Sequence, residues 1–394
     1  MHITTTRNFS EWALEDEYLE DLKITRQSIK SQHTRSDIRS LRNIGMTSSS
    51  LGYLYGMMRC QSECGFATFK KMRFLCWYWE NGDKIIFPIN SKNTLYLGND
   101  SEDWCKYWPF LSQIESEKYQ CNLKQSDSPL SYIPGDYILA IGGQTHFGHF
   151  VANRIAALHQ SNLAYPDIMA VSNILVPPHY TDLHWSILKD ILGGGEKVFH
   201  ELPARSGIHS VSNAVVPCID EHPDAITGLQ GVLEKRNLSR PVRSGKRTYI
   251  TRAHDCLNDR IFQYTTFCHS LSELGFNIVN PMDLSYLERL SVIGESEFIL
   301  TDPGSCALNG LLFGNQQSTI RCMIPKRVLE STDSCIINQL CLGFKQGVKS
   351  QWLPLHSHVK SISNPWYDIL ISPTPSLLKG LIANAETPQS ARRS

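Results

Sequence analysis

At 394 residues the chain is longer than one compact core supports, so two or three domains are expected. Hydrophobic residues make up 41% and charged residues 19%, the balance of a globular protein and not of a disordered one. Lys plus Arg equals Asp plus Glu at 38 each, so no basic excess favours nucleic acid, and no nucleic-acid partner is expected.

Residues 1–23 are acidic and lack a continuous apolar run, which argues against a secretory signal. No stretch of about 18 apolar residues is present, so no transmembrane helix is predicted. The 12 cysteines are scattered without paired spacing and read as reduced thiols of a cytoplasmic protein. Cys60, Cys64 and Cys76 have no second close Cys or His pair to complete a tetrahedral site, so no metal is assigned.

Trp12, Leu14, Leu19, Leu22 and Ile29 lie among many charges, and their spacing predicts an exposed or peripheral helix over 11–31. Residues 73–98 read as strands, with Asn81-Gly82-Asp83 as a hairpin turn between two apolar runs. The polar and aromatic stretch 100–130 yields no assignment. A buried strand is predicted over 137–141, ending at Gly142-Gly143. The following loop carries His146, Gly148 and His149 and enters an amphipathic helix with Phe150, Ile155 and Leu158 on its apolar side. Strands at 168–176, 197–200 and 211–216 and a helix at 183–192 continue the alternation, Gly193-Gly194-Gly195 closing that helix.

A helix is predicted over 223–235, and the polar run 237–246, with Pro241 and Gly245, reads as a hinge. Residues 247–325 organise the second half, with apolar runs at 248–250, 276–279, 298–300 and 320–324 separated by helical spacing. That alternation is the signature of a parallel sheet with crossover helices, where ligands bind beyond the carboxyl ends of the strands. A helix at 334–342, a strand at 350–355, helical pieces at 365–370 and 375–385 and a frayed tail complete the chain. The domain division is 1–132 as an N-terminal α+β extension with helix and hairpins, 133–236 and 237–362 as two Rossmann-like halves, and 363–394 as C-terminal helices and tail. The fold class is α/β.

Four places hold chemistry. The 298–300 strand delivers Thr301-Asp302-Pro303-Gly304-Ser305 into a helix whose first-turn N–H groups suit a phosphate, with Gly304 allowing close approach and Ser305 as N-cap; plain helix capping is the alternative. Arg252, just past its strand, and Arg260 have the guanidinium geometry to clamp a diphosphate, or to pair with Asp255 or Asp259. Glu288 borders the apolar stripe of its helix, where a carboxylate can accept from two ribose hydroxyls, or is simply solvated. His146 and His149 flank Phe147-Gly148 beyond a strand end, and an imidazole there can take a proton from a sugar hydroxyl; N-capping or core packing is the alternative. The basic run 235–252 is either a solvated linker or a rim that attracts an anionic ligand. No Walker A motif and no G-x-G-x-x-G fingerprint is present.

With these residues in view, the chain resembles glycosyltransferase family 61. The resemblance rests on His146-Phe147-Gly148-His149-Phe150, then Tyr249-Ile250-Thr251-Arg252, Arg260-Ile261 and Gly275-Phe276. It continues through Leu284-Ser285 with Glu288 and ends in Gly304-Ser305, Asn309 and Leu312-Phe313, in order across about 140–325. Residues 1–130 add little to it. The resemblance implies a GT-B architecture, two Rossmann-like halves facing a cleft, and inverting sugar transfer without an obligatory metal. It implies no cofactor, with a nucleotide-diphosphate sugar as co-substrate and a glycan or lipid-linked glycan as acceptor, as in capsule or lipopolysaccharide synthesis. The donor site it implies comprises Arg252, Arg260, Asp283, Leu284, Glu288, Asp302, Gly304, Ser305 and Asn309; His146 or His149 is the implied base. A lipid-borne acceptor would bring the protein to the inner face of a membrane, with the 235–252 run as the docking segment. The pattern departs at Pro303, where the family often has His, at Phe262-Gln263 in place of Asn-Glu, and at Arg289 in place of Gln, so the donor sugar is not inherited. Those departures also admit a nucleotide-sugar-binding scaffold subunit that has lost transfer, while an epimerase acting without acceptor is a third reading.

Overall fold

The architecture was obtained as a computed structural model. It describes residues 2–6, 8–28, 61–78, 84–97, 111–115, 118–121, 131–139, 147, 150–155, 158–159, 166–167, 173–176, 181–192, 199–201, 206–218, 240–252, 261–315, 317–330, 349–359 and 368–386. They fall into two compact units, the described residues up to Cys218 forming one and those from Arg240 onward the other. The fold is mixed α/β.

Unit 1 runs through β1 (His2–Thr6), α1 (Phe9–Leu14), β2 (Leu19–Ser28), β3 (Gln61–Phe69), β4 (Met72–Tyr78), β5 (Lys84–Ile89) and β6 (Thr94–Tyr96). It continues with β7 (Leu111–Glu115), β8 (Lys118–Cys121), β9 (Ser131–Leu139), β10 (Asn173–Val176), α2 (Asp182–Leu192), β11 (Phe199–Glu201) and β12 (Gly207–Pro217). The twelve strands join in one sheet. Its parallel part has the order β11-β10-β9-β12, the third, second, first and fourth of those strands, as in half a Rossmann fold. Beyond β12 the pairing turns antiparallel through β3 and β4. The expected N-terminal extension is therefore continuous with the first half, because its strands hydrogen-bond directly to β12.

The helix expected over 11–31 is corrected. Among its described residues Phe9–Leu14 alone is helical, and Leu19–Ser28 is a strand paired to β3. The apolar residues Leu22 and Ile24 alternate with Asp21 and Lys23, a period of two that outweighs the imperfect helical spacing. Trp12 is fully buried, its ring against Phe69 and Tyr96 and its indole N–H donating to the Thr94 carbonyl at 2.9 Å. Burying roughly 200 Å² of such a ring at about 25 cal/mol per Å² stabilises the unit by about 5 kcal/mol before entropy is counted. The hairpin strands of 73–98 are β4, β5 and β6, while Asn81, Gly82 and Asp83 lie outside the described residues. The unassigned stretch contains β7 and β8.

Unit 2 comprises β13 (Arg243–Ile250), α3 (Tyr264–Glu273), β14 (Phe276–Val279), α4 (Tyr286–Val292), β15 (Ser296–Thr301), α5 (Ser305–Phe313), β16 (Thr319–Pro325), β17 (Lys349–Leu355), the short pair β18 (Ser357–His358) and β19 (Ile369–Leu370), and α6 (Pro375–Glu386). Five strands form an all-parallel sheet in the order β14-β13-β15-β16-β17, and a helix follows each of β13, β14 and β15. This is the doubly wound order 2-1-3-4-5. Tyr249, Phe267, Leu271, Phe298, Leu300, Met323 and Leu378 fill one face of the sheet. The expected hinge is corrected at its C-terminal end: 243–246 is the first half of β13, where Gly245 at φ +77° lies within a register irregularity against β15. A helical piece expected over 365–370 is also corrected, since Ile369–Leu370 is a strand bonded to Ser357–His358. The helices expected at 223–235 and 334–342 lie outside the described residues.

Candidate functional site

In unit 2 the chain leaves β13 to reach β14 on one side and leaves β15 to reach β16 on the other. The connections thus diverge between β13 and β15, and an open α/β sheet presents its ligand crevice at that point, beyond the carboxyl ends. The segments there are Thr251-Arg252 after β13 and Asp302-Pro303-Gly304 after β15. Backbone bonds prolong both strand ends, Thr251 N–H to the Val279 carbonyl at 3.0 Å and Asp302 N–H to the Ile250 carbonyl at 3.1 Å.

Asp302 locks the two ends together. Only 1% exposed, its carboxylate accepts from the Tyr249 hydroxyl at 2.7 Å and the Thr251 hydroxyl at 2.6 Å. Tyr249 and Thr251 share one face of the strand because they are two residues apart. Burial, then the neighbouring Asp302 charge, pushes the Tyr249 phenol well above its ordinary range. Tyr264 and Cys268 are likewise pushed up, chiefly by burial. Asp302 is therefore a positioning residue and does not meet solvent. Arg252, the next residue out, is half-buried at the crevice.

Gly304 is the N-cap of α5, at φ +82° and ψ −133°, and no side chain caps the helix. This corrects the expectation for Ser305, which is the first helical residue. A Cβ on Gly304 would meet nothing within 4 Å, so the glycine is demanded by its backbone conformation and the space above the helix start is open. The first-turn N–H groups carry the positive end of the helix dipole there. Gly310 lets α5 lie close on the sheet, since a Cβ there would stand 3.1 Å from the Thr301 methyl.

The remaining expected donor residues sit on or beside α4. Glu288 closes a capping box, its carboxylate accepting from the Ser285 N–H at 2.8 Å while its own N–H donates to the Ser285 hydroxyl at 3.3 Å. The hydrogen bonds of Ser285 hold this exposed carboxyl below its ordinary value. Asn309 is 2% exposed; its amide donates to the Ser305 carbonyl at 2.8 Å and its oxygen accepts from Arg289. Arg289, 3% exposed, also donates to the carbonyls of Pro281 and Leu284 and lies over the Phe313 ring, and burial lowers its pKa to about 10. Sequence reasoning missed this network; the sequence marked position 289 only as a departure from the family's pattern. Asp283 is exposed and ends a short helical turn, and the Leu284 carbonyl is taken by Arg289.

Arg240, Arg243, Lys246 and Arg247 of the basic run lie before β13 and in its amino-terminal part, away from the crevice. Arg243 and Lys246 both pair with Glu295, at 2.9 and 3.0 Å, and Arg247 donates to the Leu274 carbonyl at 2.7 Å. Burial opposes the Glu295 charge, but Lys246, Arg243 and Arg240 outweigh it and hold the carboxyl below its ordinary range. Arg243 and Lys246 thus spend their charge on a buried carboxylate and Arg247 bonds a backbone carbonyl, so the rim reading is corrected for these residues, while Arg252 stands at the crevice.

In unit 1 the corresponding divergence is between β9 and β12, and the His146-to-Phe150 block follows β9 in the chain. His146, His149 and, in unit 2, Arg260 lie outside the described residues. The described continuation, 150–155, is a π-helix, a form that concentrates at functional sites. Phe150, Ile155 and Leu158 are buried there, as the apolar side predicts, and so are Arg154 and His159. Phe150 meets the His184 ring edge-on at 4.4 Å, and His184 Nδ1 lies 2.7 Å from the Thr181 hydroxyl at the start of α2. Among the described residues no helix is long and apolar enough to cross a membrane, and no three His, Cys, Asp or Glu side chains cluster as metal ligands. The sequence matches no protein-family model and no curated protein.

Proposed function

We propose that the protein is an inverting glycosyltransferase of the GT-B kind, similar to glycosyltransferase family 61, moving a sugar from a nucleotide-diphosphate donor to a glycan or lipid-linked glycan. The observation that carries this reading is the divergence point between β13 and β15, where Arg252 and an uncapped helix start at Gly304 stand side by side in the chain's connections. A guanidinium and the first-turn N–H groups of a helix are the donors that neutralise a leaving diphosphate, the term that grows as the sugar–phosphate bond breaks. In the reaction His146 or His149 takes the acceptor hydroxyl proton, the oxygen attacks the anomeric carbon from the opposite face, and the diphosphate leaves with the bonding pair. The GT-B pairing of the two units belongs to this proposal, as do capsule or lipopolysaccharide synthesis and a cytoplasmic place at the inner membrane face.

A donor screen reading nucleotide diphosphate release, with and without glycan acceptors, tests it. Turnover is expected to fall about a hundredfold or more in His146→Ala or His149→Ala, the scale of a lost general base. Full activity in both variants sinks the base assignment. A second reading, a nucleotide-sugar-binding subunit without transfer, is favoured by the tie of Asn309 to Arg289 and of Glu288 to Ser285. Calorimetric nucleotide binding with no transfer to any acceptor selects it.

A further inference from the structure

Unit 1 contains a polar groove of about 200 Å³ remote in sequence from the His block, lined by Asp16, Glu17, Tyr18, Lys71, Arg73 and Ser91. Three loops meet there, and each is fixed by hydrogen bonds. Asp16, 7% exposed, accepts from the Tyr18 N–H at 2.8 Å and from the Ser91 N–H at 2.8 Å, which stitches the α1–β2 loop to the β5–β6 turn. The Glu17 N–H donates to the Ser91 hydroxyl at 3.0 Å, and the Lys70 N–H to the Tyr18 carbonyl at 3.0 Å, adding the β3–β4 turn. Arg73 Nη2 donates to the Asn90 carbonyl at 2.7 Å and to Asn93 Oδ1 at 3.0 Å; its Nε and Nη1 bond to no described residue. Lys71 Nζ lies 5.8 Å from the centre of the Tyr18 ring, and that ring is 38% exposed.

This is a preorganised floor with unspent donors and acceptors beside an exposed aromatic ring. Two carboxylates and two cations cancel, so the groove offers no net attraction to a simple anion or cation. A neutral ligand bearing many hydroxyls matches it: planar carboxylates and a guanidinium engage neighbouring hydroxyls in pairs, and the ring packs against aliphatic C–H groups. At about 200 Å³ the groove is smaller than the roughly 300–1,000 Å³ of drug-sized sites, so it takes one ring and leaves a chain to run out of its mouth. We propose that the Asp16–Tyr18–Arg73 groove is a binding subsite for a single pyranose unit of a glycan, separate from the chemistry assigned above.

The test is saturation-transfer NMR on the full chain with methyl glucopyranoside, methyl galactopyranoside and methyl N-acetylglucosaminide as probes. At least one is expected to show transfer to its ring C–H protons with a Kd on the order of 1–10 mM. Tyr18→Ala and Arg73→Gln are each expected to weaken that binding at least about fivefold, an energy of about 1 kcal/mol. The hydrogen bonds of Tyr18 in this loop are made by its backbone, and its ring meets the Lys71 ammonium, so Tyr18→Ala keeps the loop's hydrogen bonds while it reads binding, and circular dichroism checks the fold. Absence of transfer for all three glycosides overturns the proposal, as does binding that survives Tyr18→Ala, or a groove that takes glycine or lysine zwitterions and no glycoside. Nucleotide release is no part of this readout, so the subsite and the transferase reading fail independently.

Discussion

The two ends of the unit 2 sheet hold similar residues and do different things with them. At the amino end Arg243, Lys246 and Glu295 meet within 3.0 Å, so the charge is spent on joining β13 to the turn that precedes β15. At the carboxyl end the buried carboxylate of Asp302 is engaged by hydroxyls, while Arg252 and the helix start at Gly304 stand at the crevice. The difference teaches that a run of cations does not by itself mark a free anion-attracting surface, because its charges can be spent on a neighbouring carboxylate. Removing Asp302 is the strongest way to break the comparison. Asp302→Ala leaves the Tyr249 and Thr251 hydroxyls buried without their acceptor and is expected to cost about 3–5 kcal/mol in denaturant unfolding. Asp302→Asn keeps an accepting oxygen and should recover part of it. A loss below about 1 kcal/mol for Asp302→Ala shows that the carboxylate does not lock the strand ends.

The contrast between the ends is sharpened by exchanging which arginine is removed. Arg252→Ala is expected to weaken binding of a nucleoside diphosphate by about 2 kcal/mol, roughly thirtyfold, the scale of a charge-assisted hydrogen bond. Arg243→Ala should leave that affinity unchanged, since its guanidinium is paired with Glu295 at the far end of the strand. Equal losses in the two titrations would mean that diffuse charge, not the crevice, attracts the nucleotide.

Gly304 isolates the backbone contribution. A non-glycine residue at φ +82° and ψ −133° is strained by about 1–3 kcal/mol, although the space beside it is empty. Gly304→Ala should therefore lower thermal stability modestly and nucleotide affinity with it. Retained stability with lost affinity would show that the added methyl obstructs the ligand instead.

Much of unit 2 was legible in the sequence because its strands are short, apolar and bounded by helical spacing: 276–279 coincides with β14, and 350–355 falls within β17. The site was legible as residue types but not as roles. Glu288 follows Ser285 by three residues, the spacing of a capping box, and that local role explains its position without a ligand. Asn309 reads as a polar residue on a helix, yet its partner Arg289 comes from the preceding helix, a contact that no periodicity encodes. In unit 1 the extension could not be joined to the first half from sequence, because antiparallel pairing of β3 and β4 with β12 is long-range. The peripheral helix failed at Leu22 and Ile24 for a related reason: a strand lying on β3 needs only alternation, and charged neighbours hide it.

The smallest effect belongs to the amino end, and its sign follows from Glu295. The folded-state pKa of this carboxyl lies below its ordinary 4.5, because Lys246 with Arg243 and Arg240 favours the charged form more than burial opposes it. The stabilisation from these pairs is thus fully present above pH 4.5 and is lost as the pH falls through the lower folded value. Arg243 is 70% exposed, so screening keeps the pair's contribution to about 1 kcal/mol or less. Glu295→Gln is expected to cost no more than this at neutral pH and to flatten the stability curve of the protein below pH 4.5. Added salt should shrink the same difference, since exposed partners are screened within about 10 Å at 0.1 M. A Glu295→Gln variant that tracks the parent through acid unfolding would mean that Arg243 and Lys246 are not held by Glu295, and the amino end would regain its standing as a second place for an anion to dock.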